Sequence, residues 1–161
     1  MSTRFPTKVD IPEADRTKLI DLLNTGLANS LDLYSQVKQA HWNVRGMFFY
    51  SRHEMFDEIA EHLEAHADDI AERAGILGGY ANGTIRMAST NSELPEYNLD
   101  AVGAKQHLAA LRERYGTHAN WLRNAIKEVQ QIEDVGTEDL LTEVLRDVEL
   151  DMWFVESHLE G

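Results

Sequence analysis

The chain has no cysteine, which removes disulfides, zinc ribbons and thiol catalysis and leaves the redox compartment open. Its 161 residues include only three prolines, too few to interrupt long helices often. No stretch of about 18 uncharged apolar residues occurs, so no transmembrane helix is expected. The opening residues, MSTRFPTKVDIPE, contain no apolar segment of the secretory type, and a cytoplasmic location is expected, with nucleoid association open. Positive charge is scarce: 15 Lys and Arg face 28 Asp and Glu, for a formal net charge of −13. That balance opposes general nucleic-acid binding through the body of the protein and suits a protein that attracts cations.

What is present is helical periodicity, enough for one domain with a sizeable core. Residues 1–10 read as a short mobile arm and residues 11–161 as the folded domain. A first helix is expected from near Asp10, with Pro12 in its first turn, to Gly46; Ile20, Leu23, Leu27, Leu31, Tyr34, Val37, His41 and Val44 form its stripe. The stretch Ser51–Gly79 is the second helix, with a capping box in Ser51 and Glu54 and a stop at Gly78-Gly79. Phe56, Ile59, Leu63, Ala67, Ile70, Ala74 and Leu77 are its core stripe. The Gly-, Ser- and Asn-rich segment that follows is long for a bare loop, so it either wraps the surface as a crossover or holds a short helix over Thr84–Thr90. Two more helices, Leu99 to Gln131 and Glu138 to Leu159, flank a break at Gly136-Thr137. His107 and His118 on the former look like ordinary surface or core residues. Four long amphipathic helices, two short connections and one long crossover describe an all-α four-helix bundle of ferritin-like topology.

The usual metal centre inside such a bundle needs Glu-x-x-His on two helices, and this chain contains no Glu-x-x-His. Its second helix instead carries His53, Asp57, Asp68 and Glu72 on a face turned away from the core stripe. These are two i,i+4 pairs, and each pair can reach a common point. Asp57 and Asp68 stand about 16 Å apart along the axis, whereas transition-metal ligand bonds are only about 2 Å. One chain therefore cannot bring both pairs to one ion. The four positions are symmetric about the point between His62 and Leu63, however. An antiparallel second copy across a two-fold axis there would set His53 against the partner's Glu72 and Asp57 against the partner's Asp68, twice per dimer. Imidazole with carboxylates suits Fe(II), Mn(II) or Zn(II). A charged, solvated helix face would carry the same residues with accidental symmetry, and His41 alone reads as a hydrogen-bonded core histidine.

The words LYSQVKQAHWNVRG, RHEMFDE and HADDIAERAGILGG, with PEYNLD and LRDVELDMWFVE later, resemble the Dps family of DNA-protecting proteins from starved bacterial cells. The resemblance covers nearly the whole chain beyond the first ten or so residues. It implies a ferritin-like subunit with a short helix in the crossover, assembled as a hollow homo-dodecamer. It implies oxidation of Fe(II), preferably by hydrogen peroxide, between two-fold-related subunits, with ferric mineral stored inside. The family's ligands fall on His41, His53 and Asp57 of one subunit and on Asp68 and Glu72 of the other. Iron is the implied metal, with zinc or manganese as substitutes. Trp42 matches a tryptophan to which the resemblance assigns the uptake of stray oxidising equivalents, and Arg73 matches a residue expected in a structural ion pair.

The acidic helix start at Glu138, Asp139, Glu143 and Asp147 matches the region lining a three-fold pore in such shells. A carboxylate ring would concentrate Fe(II), although a helix N-terminus favours Glu138 and Asp139 for its own dipole as well. Arg4, Lys8, Arg16 and Lys18 are nearly balanced by Asp10, Glu13 and Asp15, so direct DNA binding is expected to be weak or absent. Two other classes compete. A nucleoid-compacting protein with incidental metal binding would need a more basic tail, and a di-iron oxygenase would need the missing Glu-x-x-His motifs.

Overall fold

A computed structural model describes residues 3–160, which form five helices: α1 (Glu13–Asn43), α2 (Phe49–Ile76), α3 (Ile85–Asn91), α4 (Ala104–Ile132) and α5 (Val135–Ser157). The four long ones make an all-α bundle, α1 packing chiefly on α2 and α4 on α5. The crossover from α2 to α4 carries the short α3, which lies against α1. Among the described residues the β structure is limited to two isolated bridges, Thr3 to Gly79 and Arg45 to Gly103. No helix among the described residues is long and apolar enough to cross a membrane.

The core follows the predicted stripes. Phe56, Ile59, Leu63, Ala67, Ile70 and Ala74 of α2 and Leu77 just past it are all buried, as are Ile20, Leu23, Leu27, Val37 and Val44 on and just beyond α1. A fully buried Leu, Ile or Phe contributes about 1.5–3 kcal/mol, so these stripes hold the bundle together. His107 and His118 also face inward, at 1% and 0% exposure. Burial depresses the His118 pKa to about 3, so the ring is held neutral.

Helix ends differ from the sequence expectations for local reasons. α1 starts after Pro12 rather than at Asp10, and stops at Asn43, three residues before Gly46. Gly46 (φ +105°) and Phe48 (φ +61°) then turn the chain so tightly that α2 begins at Phe49. Ser51 is thus inside α2, its hydroxyl donating to Phe48 O at 3.0 Å, and the expected capping box does not form. α4 starts at Ala104, not Leu99, because Gln106 Oε1 accepts the amides of Val102 and Gly103 at 3.0 Å each. Gly136-Thr137 lies within α5: the Asp134 carboxylate caps that helix, accepting from Gly136 N and from the Thr137 hydroxyl.

At the far end of α2 both glycines are required. Gly78 has φ +83°, and a Cβ on Gly79 would stand 2.6 Å from Ile20 Cγ2. The first two residues of the expected arm lie outside the described residues. The rest of it runs past this corner, Arg4 N and Phe5 N donating to Gly78 O at 2.8 and 3.0 Å and the Thr7 hydroxyl to Ile76 O at 3.3 Å.

Candidate metal centre

The α1–α2 hairpin places His41, in the last turn of α1, opposite His53, in the second turn of α2. The two imidazoles stack, with centroids 3.7 Å apart and planes 19° from parallel. Each ring uses Nδ1 on the other residue's backbone: His41 Nδ1 to His53 O at 2.8 Å, and His53 Nδ1 to His41 O at 2.9 Å. A carbonyl oxygen only accepts, so both Nδ1 atoms must carry hydrogen. The tautomer this selects has Nε2 as the nitrogen with the lone pair, the arrangement in which backbone partners fix a ligating histidine. Phe49 also stacks on His53, with centroids 5.1 Å apart.

Asp57, one turn beyond His53, completes this cluster, with Oδ1 3.9 Å from His41 Nε2. The Lys38 ammonium, from α1, is hydrogen-bonded to the same oxygen. That hydrogen bond, with the Lys38 charge, holds the Asp57 carboxyl below the ordinary range against the opposing effect of burial. Lys38 was not foreseen from the sequence. The signal was available, since it precedes His41 by one turn of the same helix.

Asp68 and Glu72 are exposed further along the same helix. Asp68 lines a shallow groove between α1 and α2, floored by Leu27, Leu31, Ala65 and Ala71, and Glu61 and Glu64 flank it. The structure therefore brings together His41, His53 and Asp57 and leaves Asp68 and Glu72 apart from them. Among the described residues of a single chain, no group of three His, Asp or Glu side chains could hold a metal ion. Trp42 follows His41 at the surface, 61% exposed. Arg73 makes the expected ion pair, donating to both Asp134 oxygens at 2.8 and 2.9 Å and to the Thr137 hydroxyl at 2.9 Å.

Of the acidic residues on α5, Asp139 and Glu143 are exposed, while Asp147 accepts from His66 Nε2 at 3.2 Å. One turn on, the wholly buried Asp151 meets His62 Nδ1 at 3.0 and 3.2 Å. Burial pushes Asp151 up to about 6, despite the lowering effect of the His62 hydrogen bond. This α2–α5 ladder also went unforeseen, although its two i,i+4 pairs, His62/His66 and Asp147/Asp151, are visible in the sequence.

The family model described as Ferritin-like domain matches residues 20–161. Among curated proteins, the DNA protection during starvation protein of Agrobacterium fabrum is 40% identical over 154 residues, covering 96% of this chain and 95% of that one. The protein of the same name from Mycolicibacterium smegmatis is 34% identical over 141 residues, covering 88% and 76% respectively. The solved structure of DpsC from Streptomyces coelicolor superposes with a TM-score of 0.93 at 32% identity, covering 100% of this chain and 93% of that one. The fold and these relatives define the class as ferritin-like. Within that class, the chain belongs to the Dps family.

Proposed function

We propose that this chain is the subunit of a ferroxidase and iron-storage shell. Iron storage and protection of DNA are the general roles of its family. The observation that carries the finer reading is the mutual hydrogen bonding of His41 and His53 through Nδ1, which leaves both Nε2 atoms uncommitted, that of His41 3.9 Å from Asp57. Nothing in an ordinary core would require that half-finished ligand set at a surface. An antiparallel partner about the point near His62 would supply Asp68 and Glu72.

In this reading Fe(II) is the substrate, with zinc or manganese as substitutes, and the chain works as a homo-dodecamer. His41 and His53 offer neutral nitrogen, while Asp57, Asp68 and Glu72 offer the negative charge that favours the ferric product. Two Fe(II) ions give two electrons to one hydrogen peroxide, which with two protons becomes two water molecules and avoids free radicals. Lys38 is a resident cation on Asp57 that an arriving ion displaces. Asp139, Glu143 and Asp147 are the pore residues that draw Fe(II) inward. Direct DNA binding is weak or absent: net charge is −13, Arg4 is stacked over Tyr80 at 4.3 Å, and Lys18 is paired with Asp15 at 2.9 Å. DNA is protected by removing Fe(II) and peroxide together, in the cytoplasm.

Anaerobic Fe(II) titration followed by peroxide, read by ferric absorbance with particle mass on the same sample, tests this directly. Saturable Fe(II) binding, oxidation far faster than in buffer and a dodecamer's mass are expected. Oxidation no faster than in protein-free buffer would overturn it.

A further inference from the structure

The chain has five tyrosines, and among the described residues Tyr97 is the one whose hydroxyl meets an imidazole. Its oxygen lies 2.6 Å from His107 Nδ1, with the two rings 18° from parallel. Tyr115, by contrast, has a buried hydroxyl with no hydrogen-bond partner. Burial disfavours the charged form of His107, against the nearby backbone of Asn43 and Val102 that favours it. Burial also pushes the Tyr97 phenol up to about 12. At neutral pH the pair is thus a phenol donating to a neutral imidazole. The Arg114 guanidinium stands 5.9 Å from the centre of the Tyr97 ring. A cation there penalises a positively charged phenol radical but not a neutral phenoxyl, so electron loss is tied to proton loss. Tyr97 shares one groove, between α1 and the crossover, with Trp42.

We propose that Tyr97 and His107 form a proton-coupled redox site that receives one-electron oxidising equivalents escaping from the iron site, by way of Trp42. The proposal rests on the reading that iron meets peroxide beside His41. When a single Fe(II) reduces peroxide, the products are Fe(III), hydroxide and hydroxyl radical. That radical takes an electron from the Trp42 indole, becoming hydroxide and leaving an indole radical cation. The Tyr97 O–H bond then breaks: its electron restores the indole, its proton passes to His107 Nδ1, and a neutral phenoxyl remains beside an imidazolium. Because burial disfavours the imidazolium, the proton returns when a further Fe(II) reduces the phenoxyl and becomes Fe(III).

The test oxidises the assembled full-length protein in two ways. One sample receives Fe(II) and peroxide and is freeze-quenched for electron paramagnetic resonance. An iron-free sample is oxidised by photogenerated ruthenium(III) tris-bipyridine. A tyrosyl signal is expected in both, lost in Tyr97→Phe and reduced severalfold in His107→Gln, with helical content and particle mass unchanged. Trp42→Phe should reduce the iron-driven signal. An undiminished tyrosyl signal in Tyr97→Phe overturns the proposal. So does a His107→Gln variant with unchanged yield and unchanged solvent isotope effect, because the imidazole would not then be the proton acceptor. An intact iron-free signal without any iron-dependent oxidation would sink the ferroxidase reading while supporting the Tyr97–His107 pair itself.

Discussion

Helix α2 carries two sets of histidine and carboxylate that look alike in composition and behave oppositely. Near its start, His53 and its neighbour His41 spend Nδ1 on backbone carbonyls, and Asp57 beside them is half exposed and held by a lysine. In its middle, His62 and His66 spend a ring nitrogen on Asp151 and Asp147 of the same chain, so these groups already have partners. The first set has donors to offer an incoming cation, whereas the second has largely consumed its own. Residue type does not distinguish a ligand cluster from a brace. The atom that each imidazole has already committed does.

The largest effect should come from removing the open set. The double variant His41→Gly, His53→Gly should slow peroxide-driven Fe(II) oxidation by at least about 100-fold, beyond what loss of outer-shell partners alone costs. Particle mass should not change, and a wild-type rate in the intact shell would abolish the contrast between the two sets. The next test addresses the claim that the open set is only half a site. Shells of His53→Gly alone or Glu72→Ala alone should both be slow. Shells reassembled from an equal mixture should recover about a quarter of the wild-type rate, since half the dimers keep one complete site of two. No recovery on mixing would count against a site shared across a two-fold axis.

A smaller effect is expected at Lys38. Replacing it with Met removes the cation competing for Asp57, so Fe(II) binding at neutral pH should tighten by a few-fold, on the order of 1 kcal/mol for an exposed ion pair. Weaker binding in calorimetry would instead make Lys38 a support of the site. The closed set and its buried neighbour should show themselves mainly in pH dependence. His118, with its pKa lowered from 6.5 to about 3, contributes stability that is lost as pH falls below about 6.5. Asp151, raised from 3.8 to about 6, acts with the opposite sign, because the folded state takes up its proton more readily as pH falls through about 6. Between pH 7 and 5, thermal unfolding should therefore show a shallower acid loss in His118→Phe and a steeper one in Asp151→Asn. Identical slopes in both variants would remove the charge argument for the closed set.

The bundle was readable because its core stripes repeat at helical spacing over many residues, and each buried position from Phe56 to Leu77 reinforces the others. Helix starts were less readable because they turn on single backbone conformations. The left-handed Phe48 is one that no propensity favours, and it moved the start of α2 ahead of a plausible Ser51 cap. The symmetric spacing of the four residues on α2 could be read as half of a two-chain site, and the family resemblance added His41. Their mutual hydrogen bonding could not be read, since it depends on how the hairpin closes. The same holds for Lys38, His62 and Asp151, whose partners lie on other helices and are fixed only by packing.

The His53 ring has a second consequence. The carbonyl it meets, that of His41, is among the last four of α1, which have no acceptor role left within their own helix. His53 therefore closes the end of α1 as well as offering a donor to iron. A cation that pins the ring in place should also suppress fraying of that helix end. Amide hydrogen exchange around residues 43–46 then becomes a gauge of occupancy that needs neither turnover nor colour: protection there should rise with a redox-inert ion such as Zn(II) and fall in His53→Gly.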